Sequence, residues 1–273
     1  MLDKVNLIAH RGFSADAPEN TLAAFDLALI NNYPDIEFDV QLSSDGVPVI
    51  IHDLTLDRTT SGHGLVNEHT AAQIQILDAG SWFDPSYQGS QVPTLSDVLL
   101  RYNGCANLHI ELKSLEPELP EKVGQLLADT GWVQEALAQS IVDNLNAPVL
   151  VISSFDRDQV ARSLHLLPEW IVHELLVEEV SDESLEWAAR HGLKSYHPLA
   201  SDITSELVNK ARLHHLEVGG WWNDGDPAIV ANIAEAGARH AFVNSPPQAK
   251  AALPTRHELP MGVVQRMMRA ASR

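Results

Sequence analysis

Eight short apolar runs mark out this chain, and segments of helix length with an amphipathic pattern lie between most of them. Strand-length runs alternating with helices are the pattern of repeated βα units around a parallel sheet. The runs are Val5 to Ala9, Ile36 to Leu42, Leu108 to Lys113, Pro148 to Ser153, Trp170 to Leu176, Ser195 to Pro198, Glu217 to Trp222 and His240 to Val243. Eight parallel strands close a barrel, and 273 residues suit a single domain of that kind. The expected architecture is therefore α/β, a (β/α)8 TIM barrel occupying residues 1–273 as one domain.

Two stretches depart from the rhythm. After the turn signal Ser43-Ser44-Asp45-Gly46, Val47 to Ile51 reads as a short extended run. From Leu54 to about Pro93 the alternation stops, and Gly62, Gly64, Gly80, Pro85, Gly89 and Pro93 interrupt it. Such a segment is too long for a βα loop and reads as a small insertion after the second strand, over one end of the barrel. Its Trp82, Phe83 and Tyr87 could line a substrate mouth, although aromatic residues in a small appended unit more often form its own core. A tail from about residue 254 places Met261, Val263, Val264, Met267 and Met268 at roughly helical spacing and reads as a terminal helix. Behind the first strand a helix is expected with Pro18 in its first turn, Glu19 at its positive end, and Leu22, Phe25, Ala28 and Leu29 on its buried face.

Composition narrows the classes of partner. A formal net charge of −19 opposes attraction to nucleic acid or to anionic membranes, which leaves a small molecule as the expected substrate. The only cysteine, Cys105, allows no intramolecular disulfide and no thiolate cluster, and it is expected to be buried. The first residues lack the pattern of a signal peptide, and no apolar stretch reaches the ~20 residues of a membrane helix. A cytoplasmic protein without membrane insertion is expected, and homo-oligomerisation is left open.

The residues that end the strands carry the chemistry, because a parallel barrel collects its active site at the C-terminal ends of its strands. His10 and Arg11 end the first run, His52 and Asp53 follow the extended run, and Glu111 and Lys113 close the third strand. Side chains alternate along a strand, so Glu37 and Asp39 share one face while Ile36, Phe38 and Val40 share the other. If the apolar set faces the helices, two carboxylates face the barrel interior, where they need a counter-charge. Glu111 can join them, and three carboxylates suit Mg2+ or Ca2+ better than zinc. Lys113 then stands free as a point charge for a phosphate. Taken singly, Glu37 and Asp39 are explained about as well by buried salt bridges. With 13 histidines present, a lone His10 or His52 is more often structural than catalytic. Only their joint placement singles them out.

That joint placement resembles the glycerophosphodiester phosphodiesterase family. The matching segments are His10-Arg11-Gly12, Pro18-Glu19-Asn20-Thr21, Glu37-Phe38-Asp39, His52-Asp53 with Leu56-Asp57-Arg58-Thr59-Thr60, and Glu111-Leu112-Lys113. The resemblance is strong over residues 5–113. It implies metal-dependent hydrolysis of a glycerophosphodiester to glycerol 3-phosphate and an alcohol. His10 and His52 would act as general acid and base in either order, with Glu37, Asp39 and Glu111 on a divalent metal, Mg2+ or Ca2+. Arg11, Lys113 and Trp222 would contact the substrate. It also favours attack by the substrate's own glycerol hydroxyl, through a cyclic phosphate, over attack by water. Two departures are visible: Gly219-Gly220-Trp221-Trp222-Asn223-Asp224 stands where a Trp-Thr-Val-Asn-like stretch is usual, and Asn244 stands where an aspartate is common.

Three other readings compete. A barrel glycosidase would use Glu37 or Asp39 with Glu111 as acid and nucleophile, and would leave both histidines without a task. A non-catalytic barrel binding a phosphorylated ligand is compatible with the fold. Barrel hydrolases of the His-X-His type are disfavoured because no such pair ends a strand.

Overall fold

The structure is a computed structural model that describes residues 5–133, 149–221 and 228–253. Nine strands form one sheet: β1 (Asn6–His10), β2 (Asp35–Leu42), β3 (Pro48–Ile50), β4 (Asn107–Leu112), β5 (Leu150–Ser154), β6 (Val172–Leu176), β7 (Ser195–His197), β8 (Glu217–Gly220) and β9 (His240–Val243). Eight are parallel and run β1-β9-β8-β7-β6-β5-β4-β2, and the β1–β2 pairing closes the ring. The barrel is thus the (β/α)8 TIM barrel expected from the alternation. β1 pairs with β2 only at Ile36 and Glu37, whereas β3 pairs antiparallel with Val40 to Leu42. The short extended run is thereby an added strand beside the barrel, and it delivers the chain to His52 at the barrel's rim.

The described helices are α1 (Leu22–Ile30), α2 (Ala71–Gln75), α3 (Leu95–Tyr102), α4 (Leu119–Asp129), α5 (Arg157–Leu166), α6 (Asp182–Arg190), α7 (Ser205–Leu213), α8 (Ala228–Ala236) and α9 (Pro246–Ala252). None is long and apolar enough to cross a membrane. Side-chain oxygens cap several starts: Thr94 and Asp97 bond reciprocally at α3, as do Ser181 and Ser184 at α6. The expected start of α1 is corrected. Thr21 caps the helix through the Ala24 N–H, and Asn20 before it takes a left-handed φ of +58°, so Pro18 and Glu19 stand outside the helix. Cys105 is exposed rather than buried, because it follows the Asn103-Gly104 turn that leads out of α3.

Alternation along β2 sorts its side chains as expected. Ile36, Phe38 and Val40 enter the layer between strands and helices with Phe25, Val98 and Leu99, and the Phe25 and Phe38 rings lie 5.6 Å apart. Between β3 and α3 the chain forms 3-10 turns and the short α2 around a separate small cluster that includes Ile51, Leu56, Val66 and Ile74. Trp82, Phe83 and Tyr87 stack edge to face on one another there, and the Tyr87 hydroxyl donates to the Asp16 carbonyl. The tail from 254, the Pro148 start of the fourth run, and Trp222 lie outside the described residues.

A second polar group occupies the barrel interior. The ring of Phe242 on β9 meets the rings of both His109 on β4 and His197 on β7, which only side chains crossing the interior can do. Glu174 on β6 lies 3.1 Å from His197, with both side chains buried. Burial would raise the Glu174 pKa, but His197, His109 and His240 outweigh it and hold the carboxyl down to about 2. A carboxylate depressed on folding adds stability above its ordinary pKa and loses it as pH falls through the folded value. Urea titrations of the Glu174→Gln variant should therefore show a deficit against the parent that is full at pH 5–6 and shrinks between about pH 4.5 and pH 2. A deficit independent of pH over that range would refute the assignment.

Gly12 gives a second stability prediction. Its φ is +80°, and a Cβ there would meet the Ala24 carbonyl carbon and Cβ at 2.7 Å. Gly12→Ala should cost about 2 kcal/mol or more, read from the denaturant midpoint, since backbone strain and overpacking add.

Candidate active site

The site begins where β1 stops. Beyond His10 the chain turns through Arg11 (φ +55°) and Gly12 (φ +80°), and the close approach of α1 at Gly12 leaves no room for a side chain. This turn aims the Arg11 backbone N–H at Glu37, which accepts it at 2.9 Å. A non-glycine residue held at positive φ is uncommon and marks a place where the surroundings dictate the backbone.

Glu37 and Asp39 on β2 and Glu111 on β4 meet inside the barrel, as the strand register Asp39↔Glu111 requires. All three are buried, and one oxygen of each lies within 4.8 Å of the others. Asp39 is the best compensated. Its Oδ2 accepts from the Asn20 amide at 2.8 Å and lies 3.4 Å from the Arg11 Nε, while Oδ1 is 3.7 Å from the Lys113 ammonium. Burial works against its ionisation, yet Arg11, His52, Lys113 and Asn20 together hold it well below the usual carboxylate range. Glu37 goes the other way: burial and the nearby Asp39 and Glu111 push its pKa well up. Glu111, by the same burial and the charge of Asp39, is pushed up to about 7 despite Lys113. Lys113 does not stand free as expected. Its ammonium donates to Glu111 at 2.9 Å, because carboxylates this deeply buried draw in any cation within reach.

Both histidines are held through Nδ1. His10 Nδ1 lies 2.7 Å from the Asn244 side-chain oxygen, and His52 Nδ1 lies 2.7 Å from Asp53 Oδ1. Oxygen acceptors at that distance place the proton on Nδ1 and leave Nε2 as the unprotonated nitrogen of each neutral ring. His10 Nε2 is 3.9 Å from Glu37. Burial, then the charge of Arg11, lowers the His10 pKa to about 3 against the opposing pull of Asp39, Asn244 and Glu19. Burial also lowers that of His52, with Asp39 opposing.

A cleft of about 540 Å3 opens over these groups, with His10, Arg11, His52, Glu111 and Lys113 in its wall. Leu115, Phe155, Leu176 and Trp221 also line it; the Phe155 and Trp221 rings pack edge to face at 5.2 Å. A smaller and more polar recess adjoins it, sharing His10, Arg11 and His52 and adding Ser14, Glu19 and Arg58. Of the two adjacent tryptophans, Trp221 is the described one, and it lines the cleft.

Of the residues expected at the site, His10, His52, Glu37, Asp39, Glu111, Arg11 and Lys113 therefore converge, and Trp222 falls outside the described residues. Three more belong with them. Gln41 donates to the carbonyls of Ile51, His52 and Asp53 and so fixes the turn that presents His52. Its signal was its place two residues beyond Asp39 on the same face of β2. Asn20, from the matching segment Pro18-Glu19-Asn20-Thr21, donates its amide to Asp39 at 2.8 Å and accepts from the Asp39 N–H at 3.3 Å. Arg58, which stands in the matching segment Leu56-Asp57-Arg58-Thr59-Thr60, bonds both Glu19 and Asp53.

Comparisons with known proteins give the family. A family model described as the glycerophosphoryl diester phosphodiesterase family matches residues 10–246. The protein YhdW of Bacillus subtilis (strain 168) is 49% identical over 215 residues, which cover 78% of this chain and 79% of that one. A glycerophosphodiester phosphodiesterase of the same organism is 31% identical over 259 residues, covering 89% and 85%. Among solved structures, a phosphodiesterase of Oleispira antarctica in complex with the product sn-glycerol-3-phosphate aligns at a TM-score of 0.79 and 30% identity, over 90% of this chain and 96% of that one. The chain belongs to the glycerophosphoryl diester phosphodiesterase family, a family of hydrolases.

Proposed function

We propose that the protein hydrolyses glycerophosphodiesters to glycerol 3-phosphate and an alcohol, with a divalent metal held by Glu37, Asp39 and Glu111. The observation that carries this reading is the meeting of three buried carboxylates and two Nδ1-anchored histidines in one cleft of a chain of this family. The relative from Oleispira antarctica that holds sn-glycerol-3-phosphate supports the substrate class.

The donor set fits a hard divalent cation such as Mg2+ or Ca2+. All three groups offer oxygen, all are buried, and Asp39 Oδ1 has no hydrogen-bond partner. Without an added cation Glu37 and Glu111 are pushed toward their neutral forms, so the two counter-charges present, Arg11 and Lys113, are too few for three ionised carboxylates. When bound, the metal supplies positive charge to a non-bridging phosphate oxygen as negative charge accumulates there.

The protein's own groups do the remaining work. Arg11 and Lys113 border the cleft beside the carboxylates and add fixed positive charge at the phosphate. His52, whose Nδ1–H faces a carboxylate, is the better placed of the two to carry a full imidazolium charge and to protonate the leaving alcohol from Nε2. His10, whose Nδ1–H faces a neutral amide beside Arg11, is the better placed to stay neutral and to take a proton at Nε2 from the attacking hydroxyl. The attacking hydroxyl is assigned to the substrate's glycerol, which gives a cyclic phosphate that water then opens. The apolar wall of Leu115, Phe155 and Trp221 shields the reacting centre from bulk water.

The direct assay is release of glycerol 3-phosphate from glycerophosphocholine and glycerophosphoethanolamine, with a chelator and with Mg2+ or Ca2+ restored. Chelator-sensitive release is expected; release that persists undiminished in chelator would rule out the metal. His10→Ala and His52→Ala should each lower turnover by about 10²- to 10⁴-fold while calorimetric metal affinity stays close to that of the parent. Glu37→Ala should instead weaken metal binding. A histidine variant with full turnover would remove that histidine from the chemistry.

A further inference from the structure

Arg58 belongs to the segment between β3 and α3, outside the βα framework, yet its guanidinium reaches the rim of the cleft. There it bridges two carboxylates. Nε and Nη2 donate to the two oxygens of Asp53 at 2.7 and 2.8 Å, and Nη1 and Nη2 donate to the two oxygens of Glu19 at 2.8 Å each. Each acid in turn holds a cleft group. Asp53 Oδ1 also accepts from His52 Nδ1 at 2.7 Å, and Glu19 Oε1 also accepts from Arg11 Nη1 at 2.8 Å. One unbroken path therefore runs from His52 through Asp53, Arg58 and Glu19 to Arg11.

Stability alone does not account for this arrangement. The Arg58 side chain is 44% exposed, and exposed ion pairs contribute little to folding. Geometry does account for it: with the guanidinium removed, the two carboxylates that line one recess would repel each other, and each would be free to leave the group it orients. A planar fork that serves two carboxylates at once is a task for arginine; a lysine ammonium is a point charge that cannot reproduce both two-point contacts.

We propose that Arg58 is a positioning residue that orients two cleft groups at once. Through Asp53 it keeps the His52 proton on Nδ1 and Nε2 free, and through Glu19 it keeps the Arg11 guanidinium against Asp39. The catalytic meaning of this rests on the reading under Proposed function; the orienting role itself does not. The segment after β3 thereby contributes to the reaction through its arginine as well as enclosing the barrel's rim.

Two measurements on the full chain test the proposal. The first reads the His52 tautomer by long-range 1H–15N NMR in the parent, Arg58→Ala and Arg58→Lys, with His52→Ala to assign the resonances. The parent should show the Nδ1–H form, and Arg58→Ala should shift toward a mixture with the Nε2–H form, with Arg58→Lys between them. An unchanged tautomer in Arg58→Ala overturns the proposal whatever happens to turnover. The second reads kcat and KM on glycerophosphocholine. Arg58→Ala should lower kcat by about 10- to 100-fold, as loss of an orienting partner typically does, with a melting temperature within a few degrees of the parent. In a Glu19→Gln/Asp53→Asn background the same substitution should change kcat less than about twofold, because its effect passes through those acids. A full loss in that background would mean that Arg58 acts on the substrate itself and would likewise overturn the positioning role. If Arg58→Ala fails to fold, Arg58→Gln replaces it in both measurements. If the parent releases no glycerol 3-phosphate, the functional reading fails, and the tautomer measurement still decides the role of Arg58.

Discussion

Three carboxylates inside a protein barrel are electrostatically unfavourable, and the cleft is organised around that fact. Glu37, Asp39 and Glu111 are buried at the base of the cleft, where their charges oppose one another. Each ionised group there needs a cation or strong donors close by. Arg11 and Lys113 meet part of that need, and both are drawn in so far that Lys113 contacts two of the acids. Burial and mutual repulsion therefore push Glu37 and Glu111 toward their neutral forms, and the three groups offer one oxygen each within 4.8 Å of one another.

The backbone around the cage is shaped to serve it. Arg11 and Gly12 take left-handed conformations so that the Arg11 N–H faces Glu37, and Asn20 takes another so that its amide reaches Asp39. Gln41 gathers three successive carbonyls of the turn after β3 and thereby holds His52 over the cleft. The histidines are anchored alike at Nδ1 but by partners of different charge, one amide and one carboxylate. That contrast gives two otherwise similar imidazoles different electrostatic surroundings. Asn244, a departure from the family pattern in sequence, is thus the partner that sets the environment of His10.

Much of this could be read before any coordinates. Alternation along Ile36-Glu37-Phe38-Asp39-Val40 put two carboxylates on one face of a strand, and the recurrence of apolar runs put that face inside a barrel. Other features stayed hidden because they join residues far apart in the chain. Lys113 looked free although Glu111 lies two residues before it, and its other partner, Asp39 on β2, is brought to it only by the β2–β4 register. Pro18 and Glu19 looked like the opening of a helix, and the left-handed turn at Asn20, imposed by Asp39, moved that start to Leu22. Arg58 is one charged residue in a polar segment, and its meaning appears only when Glu19 and Asp53 face the same recess.

The chain by itself determined the barrel, the family and which charged residues end the first strands, because strand periodicity and motif order are local properties of the sequence. Tertiary structure alone decided which charges pair, which nitrogen of each histidine is left free, and how the segment after β3 reaches the rim. The pairs that join distant segments, such as His10 with Asn244 and Arg58 with Glu19, depend on distances of about 3 Å between residues tens to hundreds of positions apart, and no local pattern encodes such distances.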